Sequence, residues 1–191
     1  MESKIDVPCA QCGSEKGLLM LSLSSEIPYF GEHTQITVLC ETCGWKHSDF
    51  IPTDGDKHGY WSLCLESSDV GSARVIRSSS CTVRINELGL EVTPGGNSSG
   101  YITNVEGIIS RFEKIVESMS WSLDDQESLD KANIILDGLS KAKVGRSDLV
   151  LELLDPRGSS QIIHDSVVSR HLTEDERSQL GIGPDYPIFE L

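Results

Sequence analysis

Two short strings constrain this chain more than anything else in it: Cys9-Ala10-Gln11-Cys12-Gly13 and Cys40-Glu41-Thr42-Cys43-Gly44. Both read C-x-x-C-G, and 27 residues separate Cys12 from Cys40. In a C-x-x-C turn both sulfurs face one side, and the glycine after them takes the positive φ that such a knuckle needs. Two knuckles supply four thiolates at the corners of a tetrahedron, which suits Zn²⁺. The intervening stretch is longer than in the usual tandem C-x-x-C site. A redox dithiol needs no second copy with its own glycine, and structural disulfides belong to oxidising compartments. Cys9, Cys12, Cys40 and Cys43 are therefore predicted to hold one structural zinc.

The stretch from Cys9 to Cys43 is too short to bury a core that would hold itself together. Structural zinc contributes on the order of 10–16 kcal/mol of apparent binding free energy at neutral pH, which becomes folding free energy. Four sulfur ligands leave no open position for a catalytic water, so the metal is read as a scaffold. Six cysteines, four of them committed to metal, fit a reducing cytoplasm; Cys64 and Cys81 are read as buried free thiols, with a disulfide between them as the lesser alternative. No run approaches the roughly eighteen apolar residues of a membrane span, and the first residues lack a signal-sequence pattern.

Charge narrows the partner. The chain carries a net −14, and residues 1–50 hold three lysines against seven carboxylates, a balance of −4. A zinc tetrathiolate adds a further −2. Nucleic-acid binders neutralise phosphates with clustered Lys and Arg, so this ribbon would repel them. An acidic surface suits a basic protein partner or plain solubility.

Leu18–Leu23 and Thr34–Leu39 read as the two strands of a zinc ribbon, and the turn cluster Thr53-Asp54-Gly55-Asp56 closes the module. The expected division is 1–52 for the ribbon and 53–191 for a second domain. Strands are predicted at Tyr60–Leu65, Ala73–Arg77, Cys81–Ile85 and Gly89–Val92, followed by a mobile loop over Gly95–Gly100. The period then shifts to 3.6: Val105, Ile108, Ile109, Phe112, Ile115, Val116 and Met119 form one stripe, with Thr103 and Glu106 read as its capping box. A second helix starts at the acidic Asp124–Glu127 segment and stops at Gly145, giving an antiparallel hairpin at about 104–144. Strands return at Leu149–Leu154 and Ser160–His164, and a short helix begins at Thr173. The fold class is mainly β with an α insertion: a zinc ribbon, then a β-sandwich or barrel carrying a helical hairpin.

Together these residues resemble the ZPR-type zinc-finger family of eukaryotes and archaea. The resemblance rests on the knuckles, on Ile27-Pro28-Tyr29-Phe30, and on the Gly44-Trp45 continuation. It extends to Arg74-Val75-Ile76-Arg77-Ser78, Thr82-Val83-Arg84-Ile85 with Glu87-Leu88, Asn104-Val105-Glu106-Gly107 and Asp155-Pro156-x-Gly158-x-Ser160. With one finger-plus-domain unit, the chain is similar to the single-module archaeal form. The resemblance implies a double-stranded β-helix after the finger. It also implies a non-catalytic activity: binding translation elongation factor 1-alpha and assisting its folding.

Other features take simpler readings. Ile27, Tyr29 and Phe30 are expected to plug the base of the ribbon, against the alternative of an exposed apolar tip that grips a partner. Trp45 and Phe50 are expected to pack on the second domain. His33, His47, His58, His164 and His171 form no metal-ligand motif, His164-Asp165 being only a fragment of one, and no nucleophile elbow is present. An enzyme is the weaker class. The alternative to a client-binding factor is a zinc ribbon of the translation or transcription machinery that associates with nucleic acid.

Overall fold

The computed structural model describes residues 1–53 and 57–183. Its first part is one antiparallel sheet in the order β1 (Glu2–Ile5), β2 (Leu18–Ile27), β3 (Gly31–Leu39) and β4 (Lys46–Pro52). Alternation on β3 puts Ile36 and Val38 on the face that Cys40 continues, where they meet Leu18 and Cys9. Ile5, Met20, Trp45 and Ile51 close this small core. Only β2 and β3 advertise themselves in the sequence. On β4 the buried positions include His47 and Asp49, so its period of two is written in polar residues.

The remaining strands form two antiparallel sheets. One runs β12 (Val168–His171), β5 (Gly59–Cys64), β10 (Val150–Leu154), β7 (Thr82–Ile85), β8 (Leu90–Val92); the other runs β11 (Gln161–Ile163), β6 (Arg74–Arg77), β9 (Tyr101–Asn104). Both sheets drive alternate side chains into one core, among them Leu63, Val75, Val83, Ile85, Leu151 and Ile162. Helices α1 (Val105–Ser120) and α2 (Gln126–Lys143) are inserted between β9 and β10 and share that core through Ile108, Ile109, Phe112 and Leu139. An ion pair from Lys143 near the end of α2 to Glu113 on α1 fits antiparallel helices. A last helix, α3, covers Glu174–Gln179. The chain is mainly β, with a jelly-roll that carries a helical hairpin.

Three local expectations are corrected. The cap of α1 is Asn104, the last residue of β9 and one position after Thr103; the Asn104 side chain accepts from the Gly107 N–H at 2.9 Å. The capping box sits instead on α3, between Thr173 and Glu176. The α1 stripe buries Val105, Ile108, Ile109, Phe112 and Val116 but leaves Ile115 and Met119 exposed. The loop over Gly95–Gly100 is tethered: Arg77 donates to Ser98 Oγ at 2.6 Å, and the Gly100 N–H donates to the Ser48 carbonyl at 2.7 Å. The proposed turn at residues 54–56 lies outside the described residues.

Ser78-Ser79-Ser80, between β6 and β7, is the buried joint of the molecule. Asp155 accepts from the hydroxyls of Ser78 (2.7 Å) and Ser160 (2.8 Å), from the Ser80 hydroxyl, and from the N–H groups of Ser159 and Ser160. From the other side Asp49, on ribbon strand β4, accepts from the Ser79 N–H at 3.0 Å and from its hydroxyl. The two chains of atoms come so close that a Cβ on Gly100 would lie 3.2 Å from the Asp49 Cα and collide with its carboxylate. Asp49 is 2% exposed, and burial lifts its carboxyl above the usual range, opposed by the Ser79 hydrogen bonds and helped by the nearby Asp155 charge. Asp49→Ala would strand two buried donors on Ser79 and should cost about 2–4 kcal/mol in urea denaturation. A loss below about 0.5 kcal/mol, the range of an ordinary surface change, would refute the joint.

Candidate metal centre

The two knuckles fold alike. The Gly13 N–H donates to the Cys9 carbonyl and the Gly44 N–H to the Cys40 carbonyl, each at 2.8 Å. Likewise the Cys9 N–H reaches the Ser14 carbonyl (3.1 Å) and the Cys40 N–H the Trp45 carbonyl (2.8 Å). Gly13 and Gly44 have φ of 67° and 76°, the left-handed conformation the sequence requires of them, with open space where a Cβ would stand. A hydrogen bond between the hydroxyls of Ser14 and Thr42, 3.0 Å, ties one knuckle to the other.

Four sulfurs converge. All four Sγ atoms lie within 4.8 Å of one another, with Cys9–Cys43 and Cys12–Cys40 both at 3.8 Å. A tetrahedral Zn²⁺ with bonds of about 2.3 Å needs sulfurs about 3.8 Å apart, so the donor set fits the ion. Cys9 and Cys40 are buried, while Cys12 and Cys43 face solvent. Among the described residues this is the one group of three or more Cys, His, Asp or Glu side chains placed to hold a metal.

The electrostatics point the same way. Backbone N–H groups, that of Cys43 foremost and that of Thr42 after it, hold the Cys40 thiol down to about 6 against its burial. The Trp45 N–H favours the Cys43 thiolate too, but burial and the neighbouring sulfurs push that thiol up to about 12. One sulfur ionises readily and its neighbour resists, because adjacent negative charges repel. A divalent cation among them relieves the repulsion and lets all four ionise. Such an ion would cross-link the knuckles, and the four thiolates would fill its coordination sphere.

Several other readings of the sequence change. Trp45 packs against the ribbon core and stacks on His47 (6.2 Å between centroids, 12° between planes); Phe50 is half-buried. Residues Ile27–Phe30 are not at the base of the ribbon. They form the turn between β2 and β3, closed by a Phe30 N–H to Ile27 carbonyl bond of 2.9 Å. Tyr29 occupies the left-handed region there (φ 75°) and is 70% exposed, with the Arg74 guanidinium of β6 3.9 Å above its ring. Ile27, Pro28 and Phe30 thus line an open groove of about 550 Å³ against Arg74, Ile102 and Asn104. Cys64 and Cys81 are free thiols; Cys81 is fully buried and pushed up to about 12 by that burial, while Cys64 is half-buried. His58 stacks on His171 (5.3 Å) and His164 lies 3.4 Å from Asp69; none of the three belongs to the four-cysteine group. The joint at Asp49, Ser78–Ser80 and Asp155 was missed; its only sequence signal was that Arg77-Ser78 and Asp155-Pro156-x-Gly158-x-Ser160 belong to the resemblance.

A four-thiol ribbon set on a jelly-roll with a helical hairpin defines a zinc-finger jelly-roll protein. Residues 69–181 match the ZPR1 jelly-roll domain. A ZPR1-like protein of Methanocaldococcus jannaschii is 33% identical over 183 residues, covering 96% of this chain and 92% of the relative. A ZPR1-like protein of Pyrococcus horikoshii is 31% identical over 95% of this chain and 82% of its own length. The zinc finger chaperone zpr1 of Schizosaccharomyces pombe is 26% identical over 83% of this chain and 34% of that protein. The chain belongs to the ZPR1 family, and the archaeal relatives match its single finger-plus-jelly-roll unit nearly end to end.

Elemental analysis should return about one zinc per chain. Cys40→Ala or strong chelation should leave the first 50 or so residues open to limited proteolysis while the jelly-roll stays largely resistant; unchanged cleavage would mean that no metal organises the ribbon. A pH dependence follows from His47, which burial, and secondarily the Arg157 charge, lowers from 6.5 to about 4. Between those values the unfolded chain binds the proton and the folded chain does not, so stability falls as pH drops through that window. His47→Gln should flatten this part of the profile, leaving the acid release of metal that both proteins share.

Proposed function

We propose that this protein is a non-catalytic, zinc-stabilised cytoplasmic factor that binds translation elongation factor 1-alpha and assists its folding. The cluster of four thiols carries the reading: a metal with a filled coordination sphere organises a surface and has no position left for substrate or water. Cys9, Cys12, Cys40 and Cys43 are its proposed ligands. The division into a ribbon of residues 1–52 and a jelly-roll domain of 53–191 is supported by the sheet that closes at Pro52 and the next strand opening at Gly59. The name of the S. pombe relative, a zinc finger chaperone, supports a role in protein folding, and the choice of client comes from the resemblance of the sequence. No helix among the described residues is long and apolar enough to cross a membrane.

Charge favours a protein client over nucleic acid, since a net −14 repels phosphates and steers basic surfaces inward. The direct test is refolding of denatured elongation factor 1-alpha with and without the zinc-loaded protein, read as recovered nucleotide binding. Recovery should rise with the intact protein and not with Cys40→Ala. Equal recovery in all three arms, or retention of RNA in place of the elongation factor from native lysate, would overturn the assignment.

A further inference from the structure

A pocket of about 280 Å³ opens between α1, the β7–β8 hairpin and the loop that follows β8. Its walls are apolar: Val83 and Val92 from the hairpin, and Ile108, Phe112 and Ile115 from α1. Ile115 and Val92 are among the exposed large hydrophobics of the chain, at 45% and 36%, and here they have a place, as the two lips of the opening.

Against these walls stand two guanidinium groups. Arg77 is 4% exposed, yet no carboxylate among the described residues pairs with it. Its two terminal nitrogens donate to Ser98 Oγ, the Ser99 carbonyl and the Cys81 carbonyl, and its Nε has no acceptor. A buried cation without a counter-charge is costly, and dipoles repay only part of that. Arg111 approaches from α1 and lies 4.2 Å over the Tyr101 ring, with Arg77 on the same ring at 5.7 Å. Stacking uses the face of a guanidinium and leaves its N–H edge free to grip an anion. Arg111 too has no acidic partner among the described residues, so two positive charges share one ring in a chain of net −14.

We propose that this pocket binds a small organic acid, a carboxylate carried on an aromatic or branched aliphatic body. The body fills the apolar walls. The carboxylate meets Arg111 at the mouth beside Tyr101 and supplies the counter-charge that Arg77 lacks. A phosphate fits less well, because a doubly charged, strongly hydrated group would lose its water against aliphatic side chains. A neutral apolar molecule would leave both cations as they are. The size suits a compact ligand, at the lower end of the range for small-molecule pockets. The site is separate from the cysteine cluster and does not depend on which client the protein binds.

The probe is 4-phenylbutyrate, titrated into the full zinc-loaded chain by calorimetry and followed by methyl NMR shifts of Val83, Ile108 and Ile115. Saturable binding at one site is expected, with shifts confined to those side chains. Arg111→Gln, at an exposed position that should not disturb folding, should weaken binding about tenfold or more, and the uncharged analogue 4-phenylbutanol should lose a similar factor. Ile115→Trp, at the lip, should block entry while leaving thermal unfolding unchanged. Equal affinity for acid and alcohol, an Arg111→Gln protein that binds like the parent, or no saturation in the millimolar range would overturn the proposal. Arg77→Met is the poorer test, since it also releases the loop that Arg77 anchors.

Discussion

The ribbon depends on sulfur. Its core holds five buried residues, two of them the cysteines Cys9 and Cys40, so replacing either one removes packing as well as a sulfur of the cluster. A sheet of four short strands with so little apolar filling is marginal in water. The knuckles place the cross-link where the sheet needs it, at the end where β3 runs out and β4 begins. Hydrogen bonds of the same pattern at both knuckles indicate that each turn is formed by the backbone, with the glycines making it available.

The second structural constraint is the pair of buried carboxylates around three consecutive serines. Asp155 belongs to the jelly-roll and Asp49 to the ribbon, and each satisfies donors that would otherwise be buried without acceptors. Satisfying such groups matters more than the modest gain of each bond, because an unmet donor costs its full desolvation. The arrangement gives a physical reason for the Asp155-Pro156-x-Gly158-x-Ser160 string, in which the acid, the turn and the hydroxyl serve one network.

Legibility in the sequence followed apolar periodicity. The knuckles, the long strands β2 and β3, the helical hairpin and the central jelly-roll strands carry strong patterns, and they stand close to where the pattern put them. β1 is short and polar, and β4 buries a histidine and an aspartate, so neither offered a hydrophobic alternation to read. Thr103 and Asn104 are both competent caps and both are paired in β9, opposite Val75 and Arg74; the side chain that reaches the Gly107 N–H is that of Asn104, a choice no local pattern marks. The turn at Ile27–Phe30 looked like core because its residues are apolar, whereas the hairpin register of β2 on β3 carries them to the tip. The pocket beside Arg77 has no local signature, since its walls come from β7, β8, β9 and α1.

The two apolar cores of the molecule remain separate clusters, and the ribbon meets the jelly-roll at Asp49 through a carboxylate, hydroxyls and backbone amides. Directional bonds of this kind set an angle between two bodies more sharply than greasy contact does. They also part differently. Where this seam opens, water can take the place of each partner that Asp49 and the serines lose. A joint made this way can come undone in water and re-form with the same partners.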